Sequence, residues 1–586
     1  MEPTRYTIVA HRPSAHLFEV ACTIDDPAHE GHRFVLPSWI PGSYLIREFA
    51  RHVVAARAHD ARGPVRLAKV AKDTWQAAPA QGALTVTIDV YAHDVSVRTA
   101  FLDATRGYFN GPGLFLLPEG RARAACIVDL AAPTHAGGER WRVATTLPRD
   151  GAEAWGFGRY RAASYDELID HPVEMADFQH VAFEAGGVTH DVAVSGRARF
   201  DGERLARDLA KVCQWQCDLF GGAPGSRAPF DRYLFQVMAV GEGYGGLEHR
   251  ASTSLLCSRR DLPAPGMAKI TDDYRAFLGL ASHEYFHAWN VKRIKPAAFV
   301  PYDLAREAYT RQLWAFEGIT SYYDDLALVR SGVIDAESYL ELLGRAMTGV
   351  LRTPGRAVQS VADASFDAWI KHYRPDENTP NACVSYYAKG SLVALALDLS
   401  LRQAGGSLDA VMRALWRSSR GGPIGEPDIL AAVEAAADRA LARELQQWVH
   451  GTADLPLQRL LEDTAITVLH ETTPLGAGLG LKLSEGALTG IQVKSVALDS
   501  AAARAGISAG DEVLAVDGWR VRRLDEALQW TVRDRPLELV LVRERRLHSV
   551  RLRPDVRSPL RVQWRLALSD GAPKPALARR RSWLGR

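Results

Sequence analysis

The chain has 586 residues, more than one hydrophobic core can organise, so several domains are expected. Apolar residues make up 47% and charged residues 24%, the balance of a soluble globular protein. A net charge of +2 gives no pull toward polyanions, so neither nucleic acid nor an anionic membrane surface is expected as a partner.

Residues 1 to 172 alternate polar and apolar side chains with period two, as in "ALTVTIDVYAHD" at 83–94, with Gly and Pro breaks between runs. This predicts an antiparallel β-rich domain. The start, "MEPTRYTIVAHRP", lacks the charged-then-apolar run of a secretory signal, and a cytoplasmic location is the expectation. The segment "LPSWIPGSYLIREFARH" (36–52) reads either as a loop built to meet another domain or as a turn-rich connection. From 173 to 458 the pattern is a second domain, mainly helical after 270. A helix is expected at 203–219, with Leu205, Leu209, Cys213 and Cys217 on one i, i+4 stripe. That stripe makes the two cysteines core residues rather than a metal pair. A second helix opens at Thr271 as N-cap, with Asp272 and Asp273 in its first turn. Further helices are expected at about 311–330, 334–352 and 385–450. The longest apolar run, "LVALALDLSL", carries Asp398 and is far shorter than the ~20 residues that span a bilayer. Short strands return at 459–556, and 557–586, ending "GAPKPALARRRSWLGR", is expected to be partly disordered.

Chemistry concentrates in "HEYFHAWNVKRIKP" (283–296). His283 and His287 lie four residues apart, on one face of a helix, with Glu284 beside them. His-Glu-x-x-His mounts a metal ion and a general base on one helical turn. A zinc site needs a third protein ligand. Glu317, in "WAFEGITSYYDDL", is the candidate, since burial of a carboxylate among aromatic residues is costly unless metal or a partner takes it up. The alternative is a glutamate on an exposed helix face. Gly318 beside it is unfavourable in a helix and suggests close approach of another backbone. A carboxylate at Glu248, ahead of the motif helix, could pair with a protonated α-amine or with Arg250 or Arg259. Asp324 and Asp325 are candidates for orienting a ligand histidine.

The motifs "HEYFHAWNVKRIKP" and "WAFEGITSYYDDL", with "PSWIPGSYLIREFARH" before them, resemble the glycyl aminopeptidase family, the sixty-first family of metallopeptidases. These are zinc enzymes of the gluzincin type, related in architecture to alanyl aminopeptidases. The resemblance implies one zinc per chain held by His283, His287 and Glu317, with Glu284 as general base. Related enzymes carry Gly-x-Met-Glu-Asn on the strand lining the cleft; here the segment reads "GGLEH", with Gly245, Gly246 and Glu248 as the substrate-binding positions and His249 in place of Asn. Tyr387, in Tyr387-Ala388-Lys389-Gly390, falls at the oxyanion-donating tyrosine, and Tyr386 is expected to pack. The fold implied is multidomain α+β: an antiparallel β domain, a thermolysin-like zinc peptidase domain and a C-terminal β domain.

That last domain, in "SAAARAGISAGDEVLAVDGWRV" (500–521), resembles a PDZ domain. Gly478, Leu479, Gly480 and Leu481 match its carboxylate-binding loop, so a peptide C-terminus is a possible partner, docked as a strand beside 481–483 with Leu524 near its pocket. The alternative is a PDZ fold used only for packing or for restricting an entrance. The reading that results is a zinc aminopeptidase acting on peptides with a free N-terminus and a small first residue. The alternatives are a zinc endopeptidase with PDZ-selected substrates and a non-catalytic PDZ scaffold.

Overall fold

The computed structural model describes residues 2–486, 488–531 and 535–585, and the chain forms two compact units. The first comprises Met1–Ala308 with Trp416–Ile424, the second Tyr309–Leu415 with Gly425–Arg586. The division falls inside the segment that the sequence suggests is one domain at 173–458.

The first unit begins with a seven-stranded sheet, in the order Gly158–Ala162, Cys126–Leu130, Thr4–Arg12, Leu17–Ile24, Leu84–Tyr91, Val53–Asp60 and Gly63–Val65. Period two governs it: along Leu17–Ile24 the side chains of Phe18, Val20, Cys22 and Ile24 are all buried, with half-buried residues between them. The strand within 83–94 is Leu84–Tyr91, and Leu84, Val86, Ile88 and Val90 face the same core. The short strand Val173–Ala176, placed in the second domain by the sequence, pairs instead with Arg106–Phe109 and Arg142–Ala144 of the first.

A five-stranded sheet follows, in the order Gln179–Ala185, Val188–Ser195, Arg232–Val240, Ser252–Ser258 and Tyr244–Glu248. Its last strand runs antiparallel to Ser252–Ser258 and has a free edge. The helix Gly202–Gly221 is capped by the Asp201 side chain, which accepts from the Arg204 N–H, and it buries Leu205, Leu209, Cys213 and Cys217 as one stripe. The helix Asp272–Phe286 opens as its sequence predicts: the Thr271 hydroxyl accepts from the Tyr274 N–H, and Asp272 and Asp273 occupy the positive end of the helix dipole.

The second unit is helical to about residue 462 and then β-rich. A π-helical turn, Trp314–Gly318, runs into the helix Ile319–Arg330. The helices Ala336–Arg352, Ala388–Gln403, the part of Leu408–Ser419 up to Leu415 (its acid Asp409), Glu426–Ala436 and Arg439–His450 follow. Asp398, the charge inside the apolar run, is fully buried and satisfied: it accepts from the Tyr322 hydroxyl at 2.6 Å, from Arg402 at 3.1 Å and from the Leu408 N–H at 2.7 Å. A small sheet, ordered Leu481–Gly486, Gly490–Val496, Glu512–Val516, Leu537–Arg543 and Arg546–Leu552, closes over a core containing Leu479, Ile491, Val513, Leu539 and Leu541. The amide of Asn381 grips the end of the strand Gly490–Val496, donating to Val496 O at 2.9 Å and accepting from the Leu498 N–H at 2.8 Å.

The expected disorder of 557–586 is not what the described residues show. Val562–Leu568 pairs with Ile466–Thr472, and Lys574–Leu584 is a helix. Its arginines are anchors: Arg579 donates to Asp463 O at 2.6 Å and Arg580 to Ala465 O at 3.1 Å, while Trp583 is wholly buried. Composition missed this because one tryptophan supplies the burial that the stretch otherwise lacks. No helix among the described residues is long and apolar enough to cross a membrane.

Candidate active site

In the first unit the helix Asp272–Phe286 packs against the edge strand Tyr244–Glu248. Along that strand Gly246 and Glu248 share a face and Gly245 and Leu247 the other. Leu247 is buried in the core of the N-terminal sheet, so the Gly246/Glu248 face is left for the helix. There, one ligand-type atom from each of Glu248, Glu284 and His287 lies within 4.8 Å of the others. Gly246 is required by this approach. A Cβ at 246 would stand 2.6 Å from the Glu284 Cγ and closer still to its carboxylate.

His283 and His287 present their rings edge to face, 4.7 Å between centroids. His287 is buried and its Nδ1 lies 2.7 Å from the Asn290 carbonyl oxygen. A carbonyl only accepts, so Nδ1 carries the proton and Nε2 is left with its lone pair. The group that orients His287 is thus a backbone carbonyl three residues on. A buried imidazole nitrogen fixed in the metal-binding tautomer, beside a second histidine and carboxylates, is a donor set that fits zinc.

Glu248 is buried. Arg250 is committed to Asp166 at 2.7 Å and to Asp170, whose Oδ2 also accepts from the Arg250 N–H at 3.0 Å. Lys292 Nζ sits 2.6 Å from Asp170 Oδ1. Burial alone would raise the Asp170 carboxyl, but Lys292 and Arg250 overcome it and hold the group well below the usual carboxylate range. His249 faces this cluster, its Nδ1 3.4 Å from Asp170. Its role is therefore on the far side of the strand end from the Glu284 carboxylate, within a polar network. The loop 36–52 meets this region: Trp39 Nε1 donates to Asp303 O at 2.8 Å, and a Cβ on Gly42 would fall 2.5 Å from Glu248 Oε1. Trp39 and Gly42 thus meet residues distant in sequence within the same compact unit.

In the second unit Glu317 is buried at the π turn. The backbone that Gly318 admits is that of Gly390: a Cβ at 318 would lie 2.6 Å from the Gly390 Cα. The Glu317 and Tyr387 motifs are thereby locked together through a glycine contact. Tyr386 is fully buried and Tyr387 is half-buried, its hydroxyl 3.4 Å from that of Tyr373. His372, not singled out by sequence, stacks on Tyr387 with ring centroids 5.4 Å apart. Burial lowers the His372 pKa while the nearby Glu317 charge opposes it. Lys389 is buried and donates to Arg356 O at 3.2 Å, a structural role.

In the small β unit Gly478, Leu479, Gly480 and Leu481 lead into the edge strand Leu481–Gly486. Leu479 is a core residue, so only the backbone of this loop remains for a ligand. Leu524 is also buried, and its N–H donates to Glu485 of the edge strand at 2.8 Å.

Three family models match the chain: Peptidase M61 N-terminal domain over residues 5–177, M61 glycyl aminopeptidase over 276–393 and PDZ domain over 468–535. Among solved structures, an aminopeptidase N family protein from Idiomarina loihiensis is 35% identical, with a TM-score of 0.90 over 99% of this chain and 100% of its own. An M1 zinc metallopeptidase from Deinococcus radiodurans is 15% identical, with a TM-score of 0.48 over 78% of this chain and 95% of its own.

Proposed function

The chain belongs to the M61 glycyl aminopeptidase family and is a metallo-aminopeptidase, and from that premise we propose how its residues divide the work. The reading is carried by the convergence of Glu248, Glu284 and His287 within 4.8 Å. His283, His287 and Glu317 hold one zinc ion in this proposal. When bound, zinc supplies a Lewis acid that acidifies water and polarises the scissile carbonyl.

The protein's own groups do the rest. Glu284 takes a proton from the attacking water and returns it to the leaving amine. Gly246, lacking a side chain, leaves that carboxylate its position. Glu248 receives the protonated α-amine of the substrate, an ion pair that a blocked N-terminus cannot form and that favours exopeptidase cleavage. The Tyr387 hydroxyl donates to the oxygen on which charge develops, a contact whose loss typically costs about 100-fold or more in turnover. The preference for a small first residue, glycine or alanine, is inferred from family membership. The PDZ unit acts through the Asn381 clamp to hold the segment that leads to Tyr387.

The test is a panel of aminoacyl chromogenic substrates, free and N-blocked, assayed with and without chelator. Hydrolysis confined to free amines and abolished by chelation is expected. Equal turnover of N-acetylated substrates would favour the endopeptidase alternative, and chelator-resistant turnover would remove zinc from the account.

A further inference from the structure

Arg98 lies in the turn after the strand Leu84–Tyr91, far in sequence from every motif above. Its position is built. The carbonyl of the preceding Val97 accepts from the Tyr108 hydroxyl at 3.0 Å and from Asn110 Nδ2 at 2.5 Å, and the Arg98 N–H donates to Ser96 Oγ at 3.3 Å. From this anchored backbone the guanidinium reaches the edge strand. Nη2 stands 3.4 Å from Gly246 O, and Nη1 would stand 3.6 Å from a Cβ on Gly245. The group is half-buried, yet among the described residues no carboxylate pairs with it, and its Nε is buried without a hydrogen-bond partner. A half-buried guanidinium with a buried, unpartnered Nε and no anion beside it is suited to take a ligand carboxylate as its charge partner.

The direction of a bound peptide follows from the proposed function, on which this step rests. With the amine at Glu248 and the scissile carbonyl between it and Gly246, where the Glu284 carboxylate approaches the strand, the substrate must run antiparallel to the edge strand, from Glu248 toward Tyr244. An extended chain advances about 3.3 Å per residue, so the α-carboxylate of a dipeptide falls about 7 Å from its amine and that of a tripeptide about 10 Å. Those lengths end beside Gly246 and Gly245, the two residues that Arg98 reaches.

We propose that Arg98 is a specificity-determining residue that binds the free C-terminal carboxylate of dipeptide and tripeptide substrates. It makes the enzyme a short-peptide aminopeptidase, measuring its substrate between a carboxylate for the amine and a guanidinium for the far end. A peptide of six residues places its carboxylate beyond reach and gains nothing from it.

The experiment compares kcat/KM of the zinc-loaded full chain for Ala-Ala, its C-terminal amide and hexa-alanine. Wild type should favour the dipeptide acid over the amide on the order of tenfold or more, chiefly through KM, as expected for a charge-assisted contact. Arg98→Gln should bring that ratio near one by raising KM for the acid, and Arg98→Lys should keep part of it. Melting curves confirm that the variants are folded, and the wild-type ratio needs no variant at all. The proposal is overturned if wild type treats acid and amide alike. It is equally overturned if Arg98→Gln lowers both substrates by one factor, the signature of a side chain that only braces the Gly246 carbonyl. Wild type that cleaves no peptide with a free amine brings down the aminopeptidase reading itself, a result separable from the other two.

Discussion

Glu284, the proposed general base, and Gly246 are in close contact, since a Cβ at 246 would meet the Glu284 carboxylate. Glu284→Gln should retain metal and fold while turnover falls about 10²- to 10⁴-fold, read by metal analysis and kcat on the same sample. Gly246→Ala makes a sharper test. The added Cβ meets the far end of a flexible side chain, so the strand can stay in place while the carboxylate moves. A shift of about 1 Å in a catalytic group costs on the order of 100-fold. Near-native melting with turnover reduced to that extent is expected; full activity in Gly246→Ala would mean that Glu284 is not the base. The proposed roles of His283, Glu284 and His287 rest on a spacing of four helical steps, so the motif is legible in sequence. Arg98, Gly42 and His372 are not. Arg98 and Gly42 meet neighbours 148 and 206 positions away, His372 stacks on a ring further along the chain, and no local pattern records such a contact.

At the scale of elements, the caps and stripes of the helices are local and readable: Thr271, Asp201 and the Leu205–Cys217 stripe all stand where their sequence puts them. The helix at Glu317 was also readable, but not the π turn within it, which depends on the crossing with Gly390. There backbone meets backbone and nothing can swing aside. Gly390→Ala should therefore destabilise by about 1–3 kcal/mol, seen as a melting temperature lower by several degrees. The polar network around Asp170 ties the segment before Val173 to Arg250 and Lys292. Because the folded carboxyl titrates below its unfolded value of about 3.9, its contribution is complete above that pH and fades as pH falls through the folded value. Asp170→Asn leaves the buried Lys292 ammonium without its anion and should cost about 3–5 kcal/mol at neutral pH. Its stability should then be flatter than that of wild type between pH 5 and pH 2 (roughly the window set by a depressed carboxylate). A wild-type-like acid limb in Asp170→Asn would show that other carboxylates govern it.

For the whole molecule, the last helix decides how the second unit is held. Trp583 is fully buried, donates its Nε1–H to the Tyr322 hydroxyl at 2.9 Å and lends its carbonyl to Arg330 at 2.6 Å. Ser582 O accepts from Arg402 at 2.7 Å. These contacts close the buried set of Asp398, Asp409, Arg330 and Arg402, in which the two arginines hold the Asp409 carboxyl below its ordinary range against the opposing effect of burial. Tyr322 and Arg330 lie on the helix that continues directly from Glu317, so the tail braces the element carrying the proposed third ligand. Removing the Trp583 ring should cost about 3–5 kcal/mol, a cavity term plus the lost hydrogen bond. In a unit of this size that is a fall in melting temperature of roughly 10 °C. Truncation before Lys574 should cost at least as much, since it also uncovers Arg402. Trp583→Ala should in addition release zinc to chelator faster than wild type does, because the helix behind Glu317 loosens before the unit melts. A Trp583→Ala protein melting within a degree of wild type would return the tail to the solvated status that its composition suggests, and the brace on Glu317 would have to be sought within the helices themselves.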